Sequence, residues 1–272
     1  MKSRPALLFG LGLLSCFFLL GYPGKAGASG CEPSIGVEPA SAGLSQIVIT
    51  APCLAKQKVR LRYDALELVR VLDETGRLSM QFDCYLGEKP QLTIVFPDGS
   101  STAVALQTLD LDRVTKVAVI WKGSVNLDLH AFEYAASSTD EGHVWAGAAS
   151  SRWQAEERKR RDNRGHGFIS FASDGSAEGD QLEVYTFVHE PSQKSGAVTL
   201  ALDYESRARL PRDPDTCGTG LYAEIEYRVA VWRPNGHVSH SRGVFAPLDC
   251  NQAPDQLARY SSKALPQLTL TR

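Results

Sequence analysis

The sequence predicts an all-β protein made of two β-sandwiches behind a cleaved leader. Three observations predict it. Apolar and polar residues alternate in short runs from Ile47 onward. Turn-forming groups separate these runs at intervals of about 8–12 residues. No long stretch carries the apolar stripe of a core helix.

Residues 1–28 read as a secretory signal. Lys2 and Arg4 make a positive start, residues 6–20 are apolar almost throughout, and Gly21, Pro23 and Gly24 break the run. Ala26, Gly27 and Ala28 supply a small-residue cleavage site. The alternative is an uncleaved anchor, but the apolar run is shorter than the ~20 residues of a membrane-crossing helix. Cys31 raises a lipoprotein reading, yet Ala28, Ser29 and Gly30 before it lack a lipobox aliphatic residue. No later run suits a span, so the mature chain is expected to be soluble, without a transmembrane segment, and periplasmic or secreted. The formal charge is −2 over 272 residues. Losing Lys2, Arg4 and Lys25 makes the mature chain more acidic, which argues against a nucleic-acid partner.

Five cysteines follow the leader: Cys31, Cys53, Cys84, Cys217 and Cys250. Export puts them where disulfides persist. The expected pairs are Cys31–Cys53 and Cys217–Cys250, because each joins cysteines beside turn-like residues. Cys84 is left over, and Cys53–Cys84 is the competing pair. No CxxC pair occurs, so a zinc site of that kind is not expected.

Residues 29–112 read as the first, smaller sandwich. Ile47 and Ile49, then Val59, Leu61 and Tyr63, then Leu78, Met80 and Phe82, then Leu92, Ile94 and Phe96, each alternate with other residues. Turns are expected at 73–76, 87–90 and 97–100, where Asp, Gly and Pro cluster. Residues 113–250 read as the second, larger sandwich. Val117 to Trp121 is a strand expected to be buried on both faces. Further strands are expected at 126–133, 168–172, 182–188, 197–203, 223–232, 237–240 and 243–248. Residues 151–164 carry helical propensity without an apolar stripe and read as a solvated loop or a short exposed helix. Residues 251–272 form a tail or, from Pro266, a final strand.

The candidate site lies in the string WKGSVNLDLHAFE at 121–133. A strand puts Asp128 and His130 on one face, about 7 Å apart. They suit a ligand or a metal, or a structural pair that bonds loop backbone. His143 and Trp145 also share a face. An exposed Trp there suits stacking on a sugar or peptide, and a buried one fills the core. His130 and Glu133 spell HxxE, but a spacing of three places them on opposite strand faces, which defeats a shared zinc. The basic run at 158–161 is either a patch for an anionic partner or a solvated segment. Residues 174–180 resemble a calcium loop in composition without its ligand spacing. GxSxG, HExxH, SxxK and P-loop motifs are missing, which lowers the expectation of an enzyme.

The strings APC at 51–53, W…LDLHAFE at 121–133, GHVW at 142–145, LEVYTF at 182–187 and TCG at 216–218 carry a family likeness. In them the chain resembles a family of uncharacterised exported two-domain β-sandwich proteins of Gram-negative bacteria, some labelled "translocase". Residues 53–106 resemble transthyretin-like or carboxypeptidase-regulatory modules. The W…DLDLH core is similar to periplasmic domains of unknown function. The resemblance implies a fold and a compartment, and supplies neither substrate nor catalytic residues.

The sequence therefore points to an exported, non-enzymatic protein that binds a partner protein or a cell-envelope component through Asp128, His130, His143 and Trp145. No cofactor is expected. One alternative is a metal-dependent hydrolase using Asp128, His130 and His143. Another is a structural or adhesive subunit linked through Cys84.

Overall fold

The computed structural model describes residues 32–86, 90–123, 127–174, 176, 179–190, 196–206, 225–245 and 259–270. The leader, Cys31, Cys217 and Cys250 lie outside these residues, as does the turn at 87–89. The described residues are overwhelmingly β, and every pair of neighbouring strands within the sheets runs antiparallel.

Two sheets form from the first half of the chain. One has the order β1 (Ser34–Ala40), β2 (Leu44–Thr50) and β5 (Arg77–Asp83). The other has the order β4 (Leu66–Val71), β3 (Lys58–Tyr63), β6 (Gln91–Val95) and β7 (Ser101–Ala105). Period-two patterning sets their inner faces: in β3, Val59, Leu61 and Tyr63 are buried while Lys58, Arg60 and Arg62 are exposed. Tyr63 meets Phe82 and Tyr85 edge-on, at centroid distances of 5.1 and 4.9 Å. The turn before β5 is built by Asp73, whose Oδ1 accepts from Thr75 N, Thr75 Oγ1 and Arg77 N. It closes on Gly76 at φ +74°, where an added Cβ would lie 2.2 Å from the Ala51 carbonyl oxygen.

A 3₁₀ turn at Leu111–Arg113 leads into β8 (Val114–Lys122), the middle strand of a five-stranded sheet. That sheet has the order β11 (Gly167–Ser173), β12 (Asp180–Val188), β8, β14 (Ile225–Trp232) and β15 (Val238–Phe245). The last sheet has the order β10 (His143–Val144), β9 (Leu127–Glu133), β13 (Ala197–Ser206) and β16 (Arg259–Thr269). Every residue of β8 before Lys122 is buried. Val117, Val119 and Trp121 join the core shared with β9 and β13. Ala118 and Ile120 join the core of the first two sheets, together with Leu182, Val184 and Ala230. The five-stranded sheet is thus a shared wall between two apolar cores, and Pro33–Arg272 groups as one compact unit. A buried ion pair crosses the same junction: Lys116 binds Asp83, which also accepts from Ser170 Oγ.

β16 begins seven residues before Pro266, where alternation gave no signal. It is an edge strand, and its register against β13 shifts between Val198 and Leu200. An edge bulge accommodates a proline that a central strand would reject.

The segment expected as a loop or short exposed helix contains α1 (Arg152–Asp162). Ser151 and Gln154 form a reciprocal capping box, and Asn163 closes the other end at φ 56°. The helix buries only Ala155 and Arg158. Polar anchors hold it instead. Arg158 donates to the carbonyls of Ala149 and Gly167, Lys159 binds Glu190 at 2.7 Å, and Arg161 forks onto Glu141. Arg160 lies 3.5 Å from Glu157. Each cation of the basic run thus has a partner.

Candidate functional site

β9 and its neighbours place the candidate residues by register. On β9, Phe132 is opposite His143 of β10, and Asp128 is opposite Asp203 of β13. One sheet face therefore gathers Asp128, His130, Phe132, His143 and Asp203, with Trp145 two residues beyond His143. The four rings lie nearly parallel. His143 is 4.4 Å from Phe132 and Trp145 is 4.9 Å from His130, centroid to centroid.

The two histidines are bonded to each other. His130 Nδ1 lies 2.7 Å from His143 Nε2. His130 Nε2 lies 3.1 Å from Asp203 Oδ2, and His143 Nδ1 lies 3.0 Å from the Ser138 carbonyl. The structure brings together His130, His143 and Trp145 of the four residues expected at the site. Asp128 shares their face, but the carboxylate in the chain of bonds is Asp203. Both histidines are buried. Burial holds His130 below the ordinary histidine range, with Asp203 pulling the other way and His143 adding to the depression. Among the described residues, no group of three or more His, Cys, Asp or Glu side chains is placed to hold a metal ion.

HxxE divides as the strand geometry requires. Glu133 turns to the opposite face and is almost completely buried. Its Oε1 accepts from Tyr185 OH at 2.8 Å and from Gly167 N at 2.6 Å. Its Oε2 lies 2.6 Å from His166 Nδ1, and His166 Nε2 lies 3.0 Å from Asp162. This network ties β9, β11, β12 and α1 together. A second buried carboxyl, Glu183, accepts from Leu129 N at 2.7 Å on the β9 edge, and burial pushes it up to about 8.

Open space lies beside α1. The Arg161–Glu141 pair spans from the helix to the 137–142 turn, with a hollow of about 380 Å³ on each side. One hollow is lined by Ser138, Glu141, His143, Trp153, Gln154 and Arg161, among others. The other reaches Tyr134, Asp162, Arg164 and His166. Trp153 stands at the first hollow with 66 % of its surface exposed. Trp153 is thus an exposed tryptophan beside this hollow, whereas Trp145 is half-buried against His130.

The sequence reading missed Asp203, Glu133's true role, His166 and Trp153. Trp153 did leave a signal: a lone Trp in a strongly charged helix has no stripe to join. In the described part of the calcium-like loop, Asp174 Oδ1 accepts from Ser176 N, and Asp180 Oδ2 accepts from Glu67 N at 2.6 Å.

Cys53 is disulfide-bonded. Cys84 is a free, fully buried thiol beside Ser45 Oγ, and burial pushes it up to about 11. Enclosed in this way, it cannot link folded chains. No protein-family model matches the chain, and neither does any curated protein.

Proposed function

We propose that this chain is an exported, disulfide-bonded, non-enzymatic binding protein of the periplasm or cell exterior. Its partner is a protein or an envelope component that docks at the paired hollows beside α1. The observation that carries the reading is Trp153, an exposed aromatic face at the wall of a hollow rimmed by Glu141, Gln154, Glu157 and Arg161. An aromatic plate beside planar hydrogen-bonding groups suits a ligand with one apolar and one polar side. Charges of both signs rim the hollow, which favours a neutral or mixed ligand over a polyanion.

Two features support the compartment: the leader pattern at 1–28 and the disulfide at Cys53. The non-enzymatic reading draws support from the histidines. His130 and His143 contact each other, Asp203 and the Ser138 carbonyl, and His166 contacts Glu133 and Asp162. Thr115, which meets His189 Nε2 at 2.7 Å, is buried with it away from any substrate.

Co-sedimentation of the purified protein with isolated peptidoglycan and with envelope membrane vesicles tests the reading. Trp153→Ala should weaken pelleting about tenfold, within the 1–3 kcal/mol of an exposed aromatic contact, and leave the melting temperature unchanged. Equal pelleting by the folded variant, or no pelleting of the parent protein with either fraction, overturns it.

A further inference from the structure

The chain of bonds through His130 and His143 ends on an acceptor at both sides. At one end is the Asp203 carboxylate, and at the other the Ser138 carbonyl. Neither can donate. All three contacts are hydrogen bonds only if both outer nitrogens carry hydrogen and the inner pair shares one more. Two neutral imidazoles are one hydrogen short of that requirement. The neutral pair must leave one contact as lone pair against lone pair. A charged carboxylate is the stronger acceptor, so His130 Nε2 gives its hydrogen to Asp203. His143 Nε2 then donates to His130 Nδ1, and the bare Nδ1 of His143 faces the Ser138 carbonyl.

We propose that His130 and His143 together bind one proton, and that this proton latches the 137–142 turn to the sheet through Ser138. Added at His143 Nδ1, it converts the one unmade contact into a hydrogen bond. The turn is already a closed unit: Asp140 Oδ2 accepts from Ser137 N, and His143 N donates to the Asp140 carbonyl. Pinning Ser138 therefore fixes Asp140 and Glu141 with it. These residues wall the hollow at Trp153. The proton site stands without the binding reading; its effect on a ligand rests on that reading.

Charged groups around the pair act in both directions. Asp203 and Asp128 on the same sheet face favour the proton, as do Asp140, Glu141 and Glu157 lining the hollow beside His143. Arg158 and Arg161 in that hollow oppose it. Burial of His130 opposes it and holds that ring below the ordinary histidine range, so the latch closes on the acid side.

Long-range ¹H–¹⁵N spectra of the labelled protein, recorded between pH 7.5 and 4.5, read every ring nitrogen. The expected result is one shared step for His130 and His143, ending with His143 Nδ1 protonated. Amide exchange at 138–142, corrected for its intrinsic pH dependence, should slow about five- to tenfold across the same step, the weight of one added hydrogen bond. His143→Gln keeps a donor and an acceptor but gains no proton, and should lose both changes. Asp203→Asn should move the step to lower pH and serves as the second variant if the glutamine protein does not fold. Two independent steps near 6.5, no step in the folded protein, or a turn whose exchange ignores the step would each overturn the proposal. A failed Trp153→Ala experiment would remove the ligand and leave this titration standing.

Discussion

Glu183→Gln changes how stability depends on pH. The carboxyl sits on β12, buried between sheets, with Leu129 N as its donor. Unfolded, it ionises near 4.5; folded, burial pushes it up to about 8, with the Asp128 charge adding and the Leu129 bond opposing. Between those values the folded state holds more proton than the unfolded chain. Stability is therefore greatest below 4.5 and falls as pH rises toward 8. One pH unit is worth about 1.4 kcal/mol. At pH 7 the loss approaches a ceiling of about 3 kcal/mol, a large share of the 5–15 kcal/mol that is typical of a folded chain. Glutamine is isosteric, still accepts from Leu129 N, and does not titrate. The variant and parent should therefore converge near pH 4.5 and separate toward pH 7.5, with the variant more stable. Urea unfolding followed by tryptophan fluorescence at pH 4.5, 5.5, 6.5 and 7.5 measures the gap. A gap that stays constant across the series would refute the reasoning.

The shared wall and the thiol make two further predictions. Ile120→Ala removes a buried side chain from the face of β8 that packs on the first two sheets, and should cost about 2–5 kcal/mol. Calorimetry should show the whole unit melting earlier in one transition; two separated transitions would contradict a shared core. Cys84 should resist iodoacetamide at pH 8 in the folded protein and react on unfolding, because its thiol is enclosed and pushed up to about 11. Rapid labelling of the native protein, read by mass, would contradict that.

Much of the fold is legible in local pattern. Val59, Leu61 and Tyr63 announce one inner face, and the unbroken apolar run from Val117 to Trp121 announces a strand covered on both sides. The shared faces of Asp128 with His130 and of His143 with Trp145 follow from strand periodicity alone. The partners across the sheet do not. Asp203 lies 73 residues from His130, and only the pairing of β13 with β9 brings it there. Nothing local marks Asp203 over Asp128 as the carboxylate that meets His130. The helix at α1 stays one of two readings because its stability comes from caps and ion pairs rather than an apolar stripe, and the part of β16 before Pro266 is not expected because a proline argues against a strand interior until an edge bulge is known. Glu133 read as half of a failed zinc motif; its three donors come from β11, β12 and the residue before β11.

The doubly covered five-stranded sheet also governs how the protein could be divided. A fragment ending at the 3₁₀ turn would strip Ala118, Ile120, Leu182, Val184 and Ala230 from the core of the first two sheets. A fragment beginning there would expose Ala118, Ile120, Leu182, Val184 and Ala230 as a flat apolar face, the kind of surface that recruits other chains. The sequence junction is a poor place to cut, because the interior runs straight across it.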